Sequence, residues 1–267
     1  MEDDYLRHNR ANWNSRVPVH LNSDFYDLEG FKAGRNALRP FELEEVGDVS
    51  GRSLAHLQCH FGLDTLSWAR LGARVTGLDL SDAAVEQARG IAAECGIPAT
   101  FVAADVYDAP EALGGETYDI VYTGIGALVW LPDLTRWAET VAALLKPGGF
   151  LYIAEFHPFT DALDDETGTK VTHDYFDRGP HVWEWPYTYT GDEILEYQKS
   201  VQFRHGLGEI VTAVVAAGLR VDFLHEHDHI LFRRYANLTK DADGYRLPGD
   251  APRIPLMFSM KASAATT

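Results

Sequence analysis

Residues Leu54–Gly62 read LAHLQCHFG. Four of the first six positions are apolar and of strand length, and a short polar run follows before the amphipathic stretch LDTLSWARLG. That is the signature of a buried strand passing through a tight loop into a helix. The loop is unusual: Gln58, Cys59 and His60 stand where glycines are common in such turns, and only Gly62 remains. Outward from it the same alternation recurs, as ARVTGLDL then DAAVEQARGIAAECG, TFVAADV, YDIVYTG then PDLTRWAETVAALLKPGG, and FLYIAEF. Strands alternating with amphipathic helices predict a parallel sheet with helices on both faces.

Local chemistry supports these elements. Between Pro132 and Leu145, Leu134, Trp137, Ala138, Val141 and Leu145 recur at helical spacing, and KPGG is expected to stop that helix with Lys146 at its negative end. Ser81 is a suitable N-cap for the helix carrying Val85 and Ala88. Residues 1–49 read as a polar, aromatic cap with short helices around Tyr5–Trp13 and Asp27–Leu38, the second ending near Pro40. Residues 50–157 form the core, and residues 158–207, containing DDETGTK and HVWEWPYTYTG, read as an inserted lid with a hairpin. Residues 208–267 supply a helix to Gly218, a strand over Leu219–His225 and a last strand over Leu256–Ala262. The expected fold is one α/β domain: a doubly wound, mostly parallel seven-stranded sheet with an N-terminal helical cap and a lid.

Composition narrows the function. The 267 residues are 46% hydrophobic and 12% aromatic, enough for a large core in a globular, soluble domain. Forty acidic against 23 basic side chains give a net charge of −17, which repels phosphate backbones and anionic membrane surfaces, so neither nucleic acid nor membrane is an expected partner. Cys59 and Cys95 have no metal-like or disulfide-framework spacing, which suits a reducing interior. The start MEDDYLRHNR is polar and acidic, so no signal peptide is expected, and no stretch approaches the ~18 apolar residues of a membrane helix. A cytoplasmic location is expected, as a monomer or homodimer.

In a doubly wound sheet, ligands bind beyond the carboxyl ends of the strands. Asp79 ends the second strand 17 residues after Gly62, near the offset at which an acid binds both ribose hydroxyls. Asp105 ends the third, where it can accept from an adenine amino group while Val106 packs on the ring. Taken singly, Asp79 is equally a helix-start acid and Asp105 a turn former; together at successive strand ends they describe a nucleoside site. The chain lacks GxGxxG and GxxxxGK[ST], so the nucleoside carries no phosphate to be cradled.

These positions resemble the class I, Rossmann-like S-adenosylmethionine (AdoMet)-dependent methyltransferases. The matching stretches are LAHLQCHFG, GLDLS with Asp79, AADV with Asp105, YDIVYTGIGALVWLPD and LLKPGGFLYIAEFHP, so the likeness covers roughly residues 40–157 and the elements from Gly208 to Ala262. The family's first loop reads close to DLGCGTG; here His56 replaces the acid, Gln58 and His60 replace two glycines, and Cys59 and Gly62 survive. The resemblance implies AdoMet as cofactor, S-adenosylhomocysteine as product, and a cofactor site at Leu57, Gln58, Cys59, His60, Gly62, Asp79, Leu80, Asp105, Val106 and Thr123.

The methyl acceptor must face the sulfonium in line. Aromatic residues are available in the cap (Trp13, His20, Phe25, Tyr26), after strands four and five (Tyr122, Trp130, Phe156) and in the insertion (Trp183, Trp185, Tyr187, Tyr189). Trp13, Tyr26, Tyr122, Trp183, Trp185 and Tyr187 are the expected acceptor contacts, and they favour a small aromatic or heteroaromatic O- or N-acceptor. His157, just past the fifth strand, is the first candidate for a general base; His205 is the second, or a helix cap. Arg16 and Arg35 are candidate partners for the methionine carboxylate. His225, His227 and His229 alternate along a strand, but their spacing favours a polar strand end over a metal site. Competing readings are C-methylation, a silent AdoMet-binding protein, and a nucleotide-dependent oxidoreductase, for which no glycine fingerprint or YxxxK pair is present.

Overall fold

A computed structural model of the chain describes residues 2–266. Helices α1 (Glu2–Leu21), α2 (Leu28–Lys32) and α3 (Pro40–Val46) precede the alternating core. The core runs β1 (Ser53–Leu57), α4 (Leu63–Arg70), β2 (Arg74–Asp79), α5 (Asp82–Cys95), β3 (Thr100–Ala103), α6 (Ala109–Ala112), β4 (Tyr118–Thr123), α7 (Leu134–Leu144) and β5 (Leu145–Phe156). The insertion contributes β6 (His181–Glu184) and β7 (Lys199–Gln202). Then come α8 (Leu207–Ala216), β8 (Arg220–His227), the short pair β9 (Thr239–Lys240) and β10 (Tyr245–Arg246), and β11 (Met257–Ser263). No described helix is long and apolar enough to cross a membrane.

Seven strands form one sheet in the order β3-β2-β1-β4-β5-β11-β8. The first five are parallel, and β11 runs antiparallel to both β5 and β8. The order reverses between β1 and β4, so the loop after β1 opens into the crevice where that reversal leaves room for a ligand. Both faces are covered. Trp137, Val141 and Leu144 of α7 and Ile210 and Val214 of α8 pack on Leu57, Val121, Leu151 and Met260. On the opposite face Trp68 and Leu66 of α4 and Val85 and Ala88 of α5 bury Leu54, Val75 and Phe101.

The cap departs from the sequence reading. In place of a short helix near Tyr5–Trp13, α1 is 20 residues long with Pro18 inside it. Its polar residues are satisfied by the insertion, which is why no apolar stripe announces it. Asn9 exchanges hydrogen bonds with the Val201 backbone, at 2.9 and 2.8 Å, and Asn12 donates to the Tyr197 carbonyl at 2.9 Å. The expected helix over Asp27–Leu38 is only five residues long, and Pro40 begins α3 instead of ending a helix, as suits a residue without an N–H at a first helical position. Lys146 does not serve the α7 dipole: its Nζ donates to Ser53 Oγ (2.9 Å) and Asp119 Oδ2 (3.0 Å), tying β5 to β1 and β4, and KPGG lies within β5. The insertion holds the expected antiparallel pair, β6 with β7.

Trp137 is fully buried at the centre of the α7 face. Trp137→Ala should lower stability by about 3 to 5 kcal/mol, measured by urea denaturation; a loss below about 1 kcal/mol would show that this layer repacks freely.

Candidate active site

The first loop answers how side chains can stand in for glycines. Gln58 and His60 both adopt left-handed backbone, φ 57° and 51°, and Gly62 follows at φ 79°. Such a conformation costs a side-chain-bearing residue about 1 to 2 kcal/mol, so it must be held from outside. Cys59 N donates to the Leu78 carbonyl (3.0 Å), His60 N to Asp79 Oδ2 (2.7 Å), and Gln58 Nε2 to the Ala127 carbonyl (2.9 Å). Gly62 cannot be replaced in the same way, because a Cβ there would lie 2.7 Å from the Phe101 ring.

Behind the loop, buried imidazoles are neutral. His56 bonds Thr65 Oγ1 at 2.7 Å, and burial lowers its pKa to about 3. His20 of α1 bridges His60 Nε2 (2.9 Å) and Thr188 Oγ1 of the insertion (2.8 Å), its own pKa also lowered to about 3 by burial and the nearby Arg16 charge.

Two adjoining cavities open beyond this loop. The smaller, about 140 Å³, is lined by Gln58, Cys59, His60, Gly62, Asp79, Leu80, Asp105 and Val106, with Tyr5, Asn9 and Trp13 of α1 across from them. Asp79 Oδ1 accepts from Ser81 N at 2.8 Å, so the carboxylate grips both the loop and the start of α5. Burial pushes the Asp79 pKa up to about 6 against the pull of those two N–H groups. Asp105 accepts from Tyr107 N at 3.1 Å. Two buried atoms on this wall, Gln58 Oε1 and His60 Nδ1, have no partner within the protein. Orphaned buried polar atoms of this kind call for a partner from a bound molecule.

The larger cavity, about 370 Å³, is lined by Arg16, Phe25, Arg35, Arg39, Glu155, Phe156, His205, Phe232 and Arg234 among others. Trp13, Tyr26, Leu63, Asp64, Ile125, Gly126, Trp130 and Tyr189 line both cavities and mark their junction. Asp64, in the first turn of α4, is the junction's carboxylate. Burial pushes its pKa up and Arg39, 3.7 Å away, pulls it down. The junction loop Gly126–Leu128 is fixed by Glu155, whose oxygens accept from the backbone N–H of Gly126 (2.6 Å), Ala127 (2.8 Å), Leu128 (3.0 Å) and Phe156 (2.7 Å). Burial raises the Glu155 pKa to about 7 while the four N–H groups favour the ionised form.

Several expected site residues lie elsewhere. Leu57 and Thr123 are fully buried strand residues behind the smaller cavity and do not line it. Tyr122 points into the core, where its hydroxyl bonds Glu42 Oε1 at 2.5 Å. Trp183, Trp185 and Tyr187 stand exposed on the insertion, outside both cavities. His157 is also outside: its Nδ1 accepts from Phe159 N at 3.1 Å and its Nε2 lies 3.0 Å from Glu226. His205 lines the larger cavity, with Nε2 bonded to the Leu131 carbonyl at 2.7 Å. Arg35 pairs with Asp27 at 2.8 Å, and Arg16 lines the larger cavity only. Among the described residues no cluster of three metal-ligating side chains occurs; His225 bonds Glu45 and His227 bonds Ser259. Asp64 and Arg39 went unread because each sits in an ordinary amphipathic or loop context; the position of Asp64 two residues after Gly62 was the available signal.

The fold is Rossmann-like, and the crevice lies at the strand ends where that fold binds ligands. Residues 55–149 match the family described as a methyltransferase domain. Ubiquinone biosynthesis O-methyltransferases are similar: that of Proteus mirabilis is 32% identical over 136 residues, 49% of this chain and 55% of the relative, and that of Methylobacterium nodulans 31% over 155 residues, 57% of each. The chain thus spans about half the length of the curated relatives it matches. Among solved structures, an S-adenosylmethionine-dependent methyltransferase from Mesorhizobium loti superposes with TM-score 0.59 at 21% identity, covering 87% of this chain and 99% of its own. The DhpI–SAH complex superposes with TM-score 0.60 at 13% identity over 100% of both chains. Residues 55–149 thus resemble a methyltransferase domain, carried on a fold shared with solved S-adenosylmethionine-dependent methyltransferases. The lining of the smaller cavity fits S-adenosylmethionine, whose hydroxyl, amino and ammonium donors suit Asp79, Asp105 and the orphaned Gln58 Oε1 and which carries no phosphate.

Glu155→Gln would turn an NH₂ toward backbone donors. It should cost about 2 to 3 kcal/mol in urea denaturation and speed amide exchange at residues 126–128; unchanged exchange there would mean that the loop is held by other contacts.

Proposed function

We propose that this protein transfers a methyl group from AdoMet to an oxygen or nitrogen of a small aromatic or heteroaromatic molecule, in the cytoplasm, with the cofactor in the smaller cavity and the acceptor in the larger. The observation that carries this reading is the shared wall: the two cavities meet at Asp64, Tyr26, Trp130 and Tyr189, so an acceptor atom in one can approach a methyl carbon in the other. Relatives named as O-methyltransferases favour oxygen. The two cysteines are free, which favours a reducing compartment.

In this reading Asp79 accepts from the ribose hydroxyls, Asp105 from the adenine amino group with Leu80 and Val106 against the ring, and the orphaned Gln58 Oε1 and His60 Nδ1 face the methionine end. When bound there, the cofactor would supply a sulfonium methyl carbon to the acceptor atom, with S-adenosylhomocysteine as the leaving group. Asp64 takes the acceptor's proton, since it is the carboxylate at the junction and burial raises its basicity. Trp13 and Trp130 offer ring faces beside the cationic sulfur.

Calorimetric titration should show micromolar binding of AdoMet and S-adenosylhomocysteine and none of NAD. Ribose hydroxyls require Asp79 ionised, so AdoMet affinity should fall as pH drops through about 6, by up to about tenfold per unit below it. Asp79→Asn should weaken binding by about 1 to 3 kcal/mol and flatten the profile; a wild-type affinity that is level from pH 8 to 5 rules out the assignment.

For Asp64, the turnover rate should decline as pH is lowered through a pKa above the ordinary carboxylate value of about 4. Asp64→Asn should cut turnover about 10²-fold and leave AdoMet affinity in place. Turnover within a few-fold of wild type would remove Asp64 from the chemistry.

A further inference from the structure

Four arginines line the larger cavity, and three are matched by a carboxylate. Arg35 pairs with Asp27 at 2.8 Å, Arg39 with Asp64 at 3.7 Å and Arg234 with Asp161 at 2.8 Å. Glu155, the remaining acid of that wall, is taken up by backbone N–H groups. Arg16 differs from the other three: among the described residues it has no carboxylate within ion-pair distance. Its Nε donates to Asn12 Oδ1 at 2.7 Å, one Nη reaches Thr188 Oγ1 at 3.4 Å, and the guanidinium lies over the Trp13 ring at 5.1 Å and the Trp130 ring at 5.4 Å. A guanidinium has five N–H donors, so most of its capacity is unspent at a partly buried position. Burial without a counter-charge lowers the Arg16 pKa, the reverse of the shift at Arg39 and Arg234, where carboxylates outweigh burial.

Stacking on two indoles and a hydrogen bond to Asn12 hold the fork in one place, which is the preorganisation a bidentate anion site needs. One unbalanced positive charge matches one carboxylate. It does not match a phosphate dianion, which would leave a net negative charge in an enclosed space. Because Arg16 lines the larger cavity and is absent from the lining of the smaller one, the anion it faces is the acceptor's and not that of the cofactor.

We propose that Arg16 anchors an acidic acceptor, an aromatic or heteroaromatic carboxylic acid, by its carboxylate. The acid's ring packs among Phe156, Tyr189 and Phe232, and a hydroxyl or amine elsewhere on it is turned to the junction at Asp64. The carboxylate is the handle and not the methylated atom, because charge neutralisation by a guanidinium makes it a poorer nucleophile. This assignment rests on reading the larger cavity as the acceptor site.

The test is affinity selection by mass on the full chain loaded with S-adenosylhomocysteine, using hydroxy- and amino-substituted benzoic, cinnamic and indole carboxylic acids, each paired with its methyl ester. The expected result is retention of acids over their esters by about tenfold or more. Arg16→Gln should abolish that preference, and Arg16→Lys, which keeps the charge but loses the fork, should retain it at reduced affinity. Affinity for S-adenosylhomocysteine, measured by calorimetry on the same samples, should stay within about threefold across the variants.

The proposal is overturned by equal retention of esters and acids, by retention of no acid on protein that binds S-adenosylhomocysteine, or by an acid preference that survives in Arg16→Gln. A loss of about tenfold or more in S-adenosylhomocysteine affinity in Arg16→Gln also overturns it and assigns Arg16 to the cofactor carboxylate. Failure of the wild type to bind S-adenosylhomocysteine at all is a different result, and it sinks the methyltransferase reading on which the proposal stands. Should Arg16→Gln fail to fold, the wild-type acid-to-ester ratio and Arg16→Lys still decide.

Discussion

The site depends on the grip of one buried carboxylate. Asp79 ends β2 with one oxygen on His60 N and the other on Ser81 N. It therefore joins the first loop to the start of α5 across the crevice where the strand order reverses. Without that joint, two side-chain-bearing residues in left-handed backbone have little to hold them, since each is disfavoured by about 1 to 2 kcal/mol. The joint also explains why the loop can dispense with glycines. Where backbone is pinned from the next strand, Gln58 and His60 can afford the conformation and bring polar atoms that glycine lacks. The parallel sheet supplies the geometry, because Leu57 and Leu78 are register partners in β1 and β2 and their strand ends deliver loop and acid side by side.

A second constraint is charge accounting in an enclosed place. Buried charges are tolerated when each has a counter-charge or a set of hydrogen bonds. Glu42, fully buried, receives the Arg39 N–H and the Tyr122 hydroxyl; Arg39 faces Asp64 as well. Glu155 receives four backbone N–H groups. Against that background two sets of groups stand out: Gln58 Oε1 and His60 Nδ1, without partners in one cavity, and the Arg16 donors in the other.

The sheet was legible because its strands are buried on both faces and read as continuous apolar runs, and the placement of Asp79 and Asp105 at one cavity because strand ends fall at predictable offsets. The lining of the larger cavity was not, for reasons visible in single residues. His157 follows the same strand as Glu155, yet its nitrogens are engaged by Phe159 N and approach Glu226, outside the cavities. Tyr122 ends a strand in the sequence pattern but is a core residue stacked near Tyr152 and bonded to Glu42. The run HVWEWPYTYT offers aromatics to either side of a two-stranded ribbon, and pattern alone cannot say that Tyr189 lines the cavities while Trp183, Trp185 and Tyr187 do not. α1 hid for a related reason, since its buried residues include Asn9, Asn12 and Ser15, partnered by backbone of the insertion 180 and more residues away.

That long-range partnership makes cap and lid one structural unit. Asn9 binds the β7 backbone, His8 meets Tyr197, His20 meets Thr188, Tyr26 meets Tyr189 and Arg16 reaches Thr188. Every one of these contacts joins α1 or the segment just after it to the insertion, and Tyr26 and Tyr189 line both cavities. His20 carries the chain of contacts one step further, because its other nitrogen bonds His60 in the first loop. The polar loop therefore does what a glycine loop could not. Its imidazole ties the wall of the smaller cavity to cap and lid through a continuous run of hydrogen bonds, so that the two elements over the larger cavity are positioned by the loop that lines the smaller one.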